Sequence, residues 1–284
     1  MDDDALKASV FQRLHPRIYL ERFLAENVRP DGRETNKFRE ISVNVGSIGT
    51  ANGSALVRLG STTIVCGVKA EIAEPDLDKP NEGFLVPNLD LPAICSPKFK
   101  PGPPTEEAQV LSERLNEVLL ASDILPLSSL CIHPAKSAWV LYVDAICINY
   151  DGNAFDAALI AMVAALKNTR LPKPTYDPET GVTTCSREIK ESLRINCTPL
   201  SMSFGIFNST HILADPTAFE EPLLDTNLYV VIDSTSGDLI SVSQVGLGST
   251  SSSGEGKQED DTLPTCISAA TKRREELVQA NIYA

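Results

Sequence analysis

Several things are missing from this chain of 284 residues, and each absence removes a class of function. No run of about 18 consecutive apolar residues occurs, so the sequence predicts no membrane-spanning helix. The seven cysteines (66, 95, 131, 147, 185, 197 and 266) form no Cys-x-x-Cys pair and lie mostly in apolar surroundings. That pattern points to reduced intracellular thiols rather than to zinc or disulfides. There are only three histidines, His15, His133 and His211, none with a carboxylate or cysteine at ligand spacing. They read as structural, and no metal or cofactor is expected. Gly46, Gly49, Gly53 and Gly60 precede no helix, so they read as turn or bulge glycines rather than a dinucleotide loop. A basic footprint is missing too: 25 Lys and Arg face 38 Asp and Glu, a net charge of -13. This argues against a free-standing nucleic-acid binder. It leaves room for a subunit that touches RNA through one patch while its other faces meet protein. The start, Met1-Asp2-Asp3-Asp4, has the wrong charge for a secretory or mitochondrial leader.

A further absence sits at Asp151-Gly152-Asn153-Ala154-Phe155-Asp156. Residues 139–150 alternate as a mostly buried strand, and Ala157 to Leu166 is apolar nearly all round, as in a buried helix. A strand-to-helix turn is suited to gripping phosphate. Such a site wants small residues and a cation. Here the turn offers Phe155 and the carboxylate of Asp156.

The remaining chain reads as an α+β fold. Ala5 to Asn27 predicts two helices broken at Pro16, an N-terminal arm over residues 1–28. Arg29-Pro-Asp-Gly-Arg33 is a turn. Ile41 to Val45 is a half-buried strand, and Gly60-Ser61 joins the next two as a hairpin. Pro75 to Pro104 reads as a long loop with a short strand near Phe84 to Val86, of a length that suits partner contacts. Thr105 caps a helix running to about Asp123. Leu171 to Ser186 has the composition of a linker. Strands follow at 200–206, 211–214, 227–233 and 239–245, then an acidic tract at 249–261 expected to be disordered, and a helix from Leu263 to Tyr283. The expected division is two related strand-and-helix halves, 29–186 and 187–284.

Four segments in register carry a resemblance: Arg29 to Arg33, Gly53 to Thr63, Asp151-Gly152 with its helix, and Asp215-Pro-Thr-Ala-Phe-Glu-Glu221. Together they resemble the RNase PH family of phosphorolytic exoribonucleases, which also builds the ring of the RNA exosome. Trp139 to Asp144, Tyr150 to Asn153 and Ala164 to Pro172 are similar to the non-catalytic ring subunits of the eukaryotic branch.

The resemblance implies an RNase PH-like fold and a hexameric ring of paralogous subunits. It also implies RNA-binding cap subunits, RNA in the central channel passing to a separate ribonuclease, no membrane, and residence in nucleus, nucleolus and cytoplasm. Active members carry Gly-Thr-Arg or a similar set after the Asp-Gly turn, where this chain has Asn153, Ala154 and Phe155. They also carry an aspartate where alignment places Asn227, and an amide cannot serve as base. Phe155 and Asn227 are therefore degenerate catalytic positions, and Asp156 would repel phosphate. Asp215, Glu220 and Glu221 persist, read as turn, cap or inter-strand residues, and the resemblance sets Arg114 against one arginine of the family's helix. Lys98 and Lys100 lie where active relatives contact the RNA backbone, and solvated charge is their plainer reading. Arg29, Arg33 and Arg58 read as salt-bridge residues. Two rivals stay open: an active phosphorolytic 3′-to-5′ exoribonuclease, and a subunit lending Lys or Arg to a partner's centre. A scaffold outside the exosome is a third.

Overall fold

The chain is described by a computed structural model over residues 3–246, 262–280 and 282–283; the acidic 249–261 tract lies outside the described residues. Its first half is built on a six-stranded sheet in the order β1-β2-β3-β6-β4, with β5 alongside β6. The strands are β1 Ile41–Val45, β2 Gly53–Leu59, β3 Thr62–Ala73, β4 Phe84–Asp90, β5 Cys131–His133 and β6 Ser137–Asn149. The expected Gly60 turn joins β2 to β3, with Gly60 at φ +57°. Helix α4, Ala154–Asn168, lies on one face of this sheet, and every residue from Ala154 to Leu166 is buried. The second half is a four-stranded sheet, β10-β9-β11-β12, from β9 Pro199–Phe207, β10 His211–Ala214, β11 Thr226–Asp233 and β12 Leu239–Gly246. Because α4 is apolar all round, it packs on both sheets, so one hydrophobic core runs through the two halves.

The N-terminal arm forms helices α1 Asp3–Leu14 and α2 Pro16–Ala25, with Pro16 in the first turn, where its missing N–H costs nothing. Helix α2 buries Leu20 and Leu24 in a satellite cluster with Phe207 and Leu213 of the second sheet. Thr105 caps α3, Glu106–Ala121, by accepting a hydrogen bond from the Ala108 N–H at 3.3 Å.

Four readings need correction. The supposed linker is a two-stranded ribbon, β7 Arg170–Tyr176 paired with β8 Thr183–Ser192. Pro172 and Pro174 signalled a break, but a lone ribbon tolerates missing N–H groups, and the register shifts between them. The short strand at Phe84 is a full β4, running parallel to β6 with Pro87 inside it at the sheet edge. The C-terminal helix α5, Thr262–Gln279, stops before Tyr283. Finally, β6 reads as a mostly buried strand, yet Tyr142, Asp144, Ile146 and Ile148 on its other face are exposed.

Candidate functional site

The strand-to-helix turn is pressed against a distant segment. Gly152 sits at φ +79°, and a Cβ there would lie 2.5 Å from Ala218 N and Thr217 C. Only glycine supplies both the left-handed backbone and the close approach. Asn153, also left-handed at φ +51°, caps α4 by accepting from the Asp156 N–H. Its amide donates to Asp156 Oδ2 at 2.8 Å and to Asp215 Oδ1 at 2.6 Å.

Asp215 is the hub on which the family-like segments converge. Its carboxylate, 0 % exposed, accepts from Arg39 Nε and Nη2 at 2.7 Å each and from the Arg39 N–H at 3.0 Å. Arg33 adds a contact at 3.3 Å. Arg39 also donates to the carbonyl of Asp151 at 2.7 Å, drawing in the turn. Burial pushes the Asp215 carboxyl upward, but the Arg39 guanidinium and the Asn153 amide outweigh it and hold it below the usual carboxylate range. Beside it, fully buried Arg29 pairs with Glu220 and donates to the Ala214 carbonyl at 2.6 Å. The motifs at 29–33, 151–153 and 215–220 are thus each other's partners. Arg58 is exposed on β2 and makes no ion pair among the described residues.

Asp156 does not face outward. Its carboxylate lies between α4 and β9 and accepts from Ser201 Oγ at 2.5 Å, Ser203 Oγ at 2.7 Å and the Ser203 N–H at 2.8 Å. Burial raises its pKa despite these donors. The Asp156 carboxylate is thus spent on Asn153 and on the serines of β9 rather than offered at the turn. The sequence marks the charge but not the helix face, and on an all-apolar helix the face is set by the serines of β9.

A cleft of about 770 Å³ opens beside the turn, between α3, the turn and β11. Phe155 and Asn227 both line it, so these two positions, far apart in sequence, share one cleft. Phe155 packs edge-on against Tyr229 at 5.2 Å between ring centroids. The Arg114 guanidinium lies over the Tyr229 ring at 5.1 Å. Lys98 also lines the cleft, 2.7 Å from Glu107 and 5.2 Å from the Tyr150 ring centre. Lys100 is exposed and outside the lining. Glu221 accepts from Tyr150 Oη and from the Asn153 N–H at 2.7 Å, and burial raises its pKa. The lining carries the cations Lys98 and Arg114 against the carboxylates Glu106, Glu107 and Glu221.

His15, His133 and His211 stay apart, and among the described residues no group of His, Cys, Asp or Glu could hold a metal ion. Sequence reasoning missed Arg39, Tyr150, Glu107 and Tyr229. Tyr229 had a signal: Asn227, Tyr229 and Val231 share one face of β11 by the two-residue period. Arg39 had none, since its partner lies 176 residues away.

Comparison with known proteins places this geometry. Residues 37–172 match the 3′ exoribonuclease family, domain 1. The exosome complex component rrp43 of Schizosaccharomyces pombe is 44% identical over 238 residues, 84% of this chain and 87% of that protein. The exosome complex component Rrp42 of Methanopyrus kandleri is 39% identical over 250 residues, 88% of this chain and 89% of that one. Among solved structures, a chain of the Archaeoglobus fulgidus exosome with RNA bound to the active site superposes with a TM-score of 0.77 at 31% identity. That match covers 92% of this chain and 97% of the other.

Proposed function

The chain belongs to the RNase PH family of 3′ exoribonucleases, and from that premise we propose that it is a non-catalytic ring subunit of an RNA exosome core. It pairs with paralogous RNase PH-like subunits in a hexameric ring. The ring carries RNA-binding cap subunits and passes RNA through its channel to a separate ribonuclease in 3′-to-5′ processing and degradation. It acts where such complexes act, in nucleus, nucleolus and cytoplasm, and it uses no cofactor.

One observation supports the non-catalytic reading: Phe155, edge-on to the Tyr229 ring that Arg114 covers, lines the cleft together with Asn227. Phosphorolysis needs orthophosphate held in line with the last phosphodiester, and a group to manage the proton. The phenyl ring donates no hydrogen bond, and the Asn227 amide takes no proton. Glu221 is the carboxylate of the cleft lining that touches the turn, but it is committed to Tyr150 and to the Asn153 N–H. Membership alone would not decide this, because an archaeal relative belongs to a complex with RNA bound to its active site.

Titration of the purified chain with orthophosphate tests the reading, followed by calorimetry and by the emission of Tyr229 and its neighbours. The expected result is no saturable heat and no spectral change at millimolar phosphate. Saturable binding that disappears in an Arg114→Met variant would overturn it.

A further inference from the structure

A sheet edge presents a row of unpaired N–H and C=O groups, and folded chains ordinarily blunt it with proline, charge, short length or a cover. Most edges of this chain are treated so. Strand β4 carries Pro87, and the N–H and C=O of Leu89 are both taken by Ser112 Oγ, at 2.9 and 3.2 Å. Strand β10 is covered: the Ala214 N–H donates to the Thr35 carbonyl at 2.8 Å, and its carbonyl accepts from Arg29 Nη1 at 2.6 Å. In the ribbon, β7 holds Pro172 and Pro174, and β8 holds Glu188, Lys190 and Glu191. Strand β1 runs for five residues before Gly46, at φ +77°, turns the chain away. Strand β12 is different. It pairs with β11 on one side, no described residue pairs with its other side, and its eight residues include neither a charge nor a proline.

A pocket of about 300 Å³ opens beside this bare edge, between α3 and the sheet. Val118, Phe155, Tyr229 and Val231 form its walls, and Ser241 and Ser243 of β12 form its rim. Opposed residues of an antiparallel pair share a face, so Ser243 lies beside Tyr229 and Ser241 beside Val231 on the side toward α3. The large side chains therefore belong to β11 and the small ones to the edge. A strand added to β12 would carry its alternate side chains over the two serines and into the pocket. Strand addition draws affinity from main-chain hydrogen bonds and specificity from such pockets.

Size and charge select the occupant. A second copy fills the pocket poorly, because a two-fold pairing of β12 with β12 brings only another Ser241 and Ser243 to the same face. Residues 247–261, which follow directly, hold Leu247 as their one large apolar residue. Arg114 and Glu117 both line the pocket and cancel in charge, so a basic or acidic segment gains nothing there. We propose that β12 receives an extended segment of another polypeptide, uncharged and with large apolar side chains at alternate positions, which pairs along the free edge and fills the pocket against α3. This goes beyond the ring reading and does not depend on it.

Amide hydrogen exchange of residues 239–246 in the full chain tests it, with synthetic octapeptides as probes. One set alternates Leu, Ile, Phe or Tyr with Thr. Controls carry the same residues in blocks, or the alternating order with N-methylated amides. The outward amides of β12 are expected to exchange freely in the chain alone and to slow roughly tenfold with an alternating peptide, while neither control protects them. A Ser241→Lys, Ser243→Lys variant is expected to bind about tenfold more weakly, and Gln244→Lys, on the opposite face, as wild type does. Failure of every alternating peptide to protect β12 overturns the proposal. Equal binding of the N-methylated peptide also overturns it, since that ligand would use the pocket without the edge. Protection already present in the chain alone overturns the choice of occupant: if it grows with protein concentration a second copy holds the edge, and if it does not the chain covers itself. These readouts use the wild-type chain, so they decide even if the double variant folds poorly.

Discussion

Replacing Asp215 tests how the family-like segments hold the turn. Asp215 accepts two guanidinium bonds and a backbone bond from Arg39, a contact from Arg33 and the Asn153 amide, all with no solvent access. Asp215→Ala strips the counter-charge from Arg39, which is itself only 8 % exposed. Leaving one partner of a buried pair uncompensated costs about 3–5 kcal/mol. The residue also holds φ +52°, where alanine adds roughly 1 kcal/mol that aspartate or asparagine largely escapes. The sum approaches the whole stability of an ordinary domain, about 5–15 kcal/mol. Asp215→Asn keeps the shape and the backbone tolerance, but it loses the charge and sets an NH2 against donors where both carboxylate oxygens accept. Its expected cost is about 3–5 kcal/mol, that of a buried charge left uncompensated. Because the native carboxyl lies below its ordinary value, its stabilisation is complete above the unfolded pKa of about 3.9 and fades as pH falls through the native one. Urea unfolding at neutral and acid pH should show wild type and Asp215→Asn far apart at pH 7 and converging in acid. A cost below about 0.5 kcal/mol at pH 7, or a gap that widens in acid, refutes the reasoning.

Two further outcomes follow from the same turn. Gly152→Ala should destabilise by about 2–4 kcal/mol in urea unfolding, because its Cβ meets backbone at 2.5 Å and the backbone is left-handed; a cost under about 1 kcal/mol contradicts this. Asp156, with its pKa raised by burial, binds a proton more readily in the folded state than in the unfolded one. Wild type should therefore gain stability as pH falls from the native value toward the unfolded one, and Asp156→Asn should lack that gain in pH-resolved melting curves.

Much of this fold is legible from residues, and the failures have physical causes. Helices α2 and α3 announce themselves through Pro16 and Thr105, and the β2–β3 hairpin through Gly60-Ser61. The β7–β8 ribbon was lost because Pro172 and Pro174 break central strands but not a ribbon free on its edges. The convergence of Phe155 and Asn227 on one cleft could be expected only from the resemblance, since nothing local links residues 72 positions apart. The clasp of Arg39 and Asp215 was invisible for the same reason, as buried ion pairs leave no period in a sequence. Asp156 shows the reverse error: a charge at a helix start reads as exposed, yet Ser201 and Ser203 hold it inside.

The most direct measurement is release of nucleoside diphosphates from a 3′-labelled single-stranded RNA. It uses the chain alone and the assembly with its paralogues in which every other phosphorolytic site is inactivated, each with and without orthophosphate. The account predicts no phosphate-dependent release in either preparation. Diphosphates that appear only with phosphate, and vanish when Asn227 or Arg114 is replaced, would contradict it.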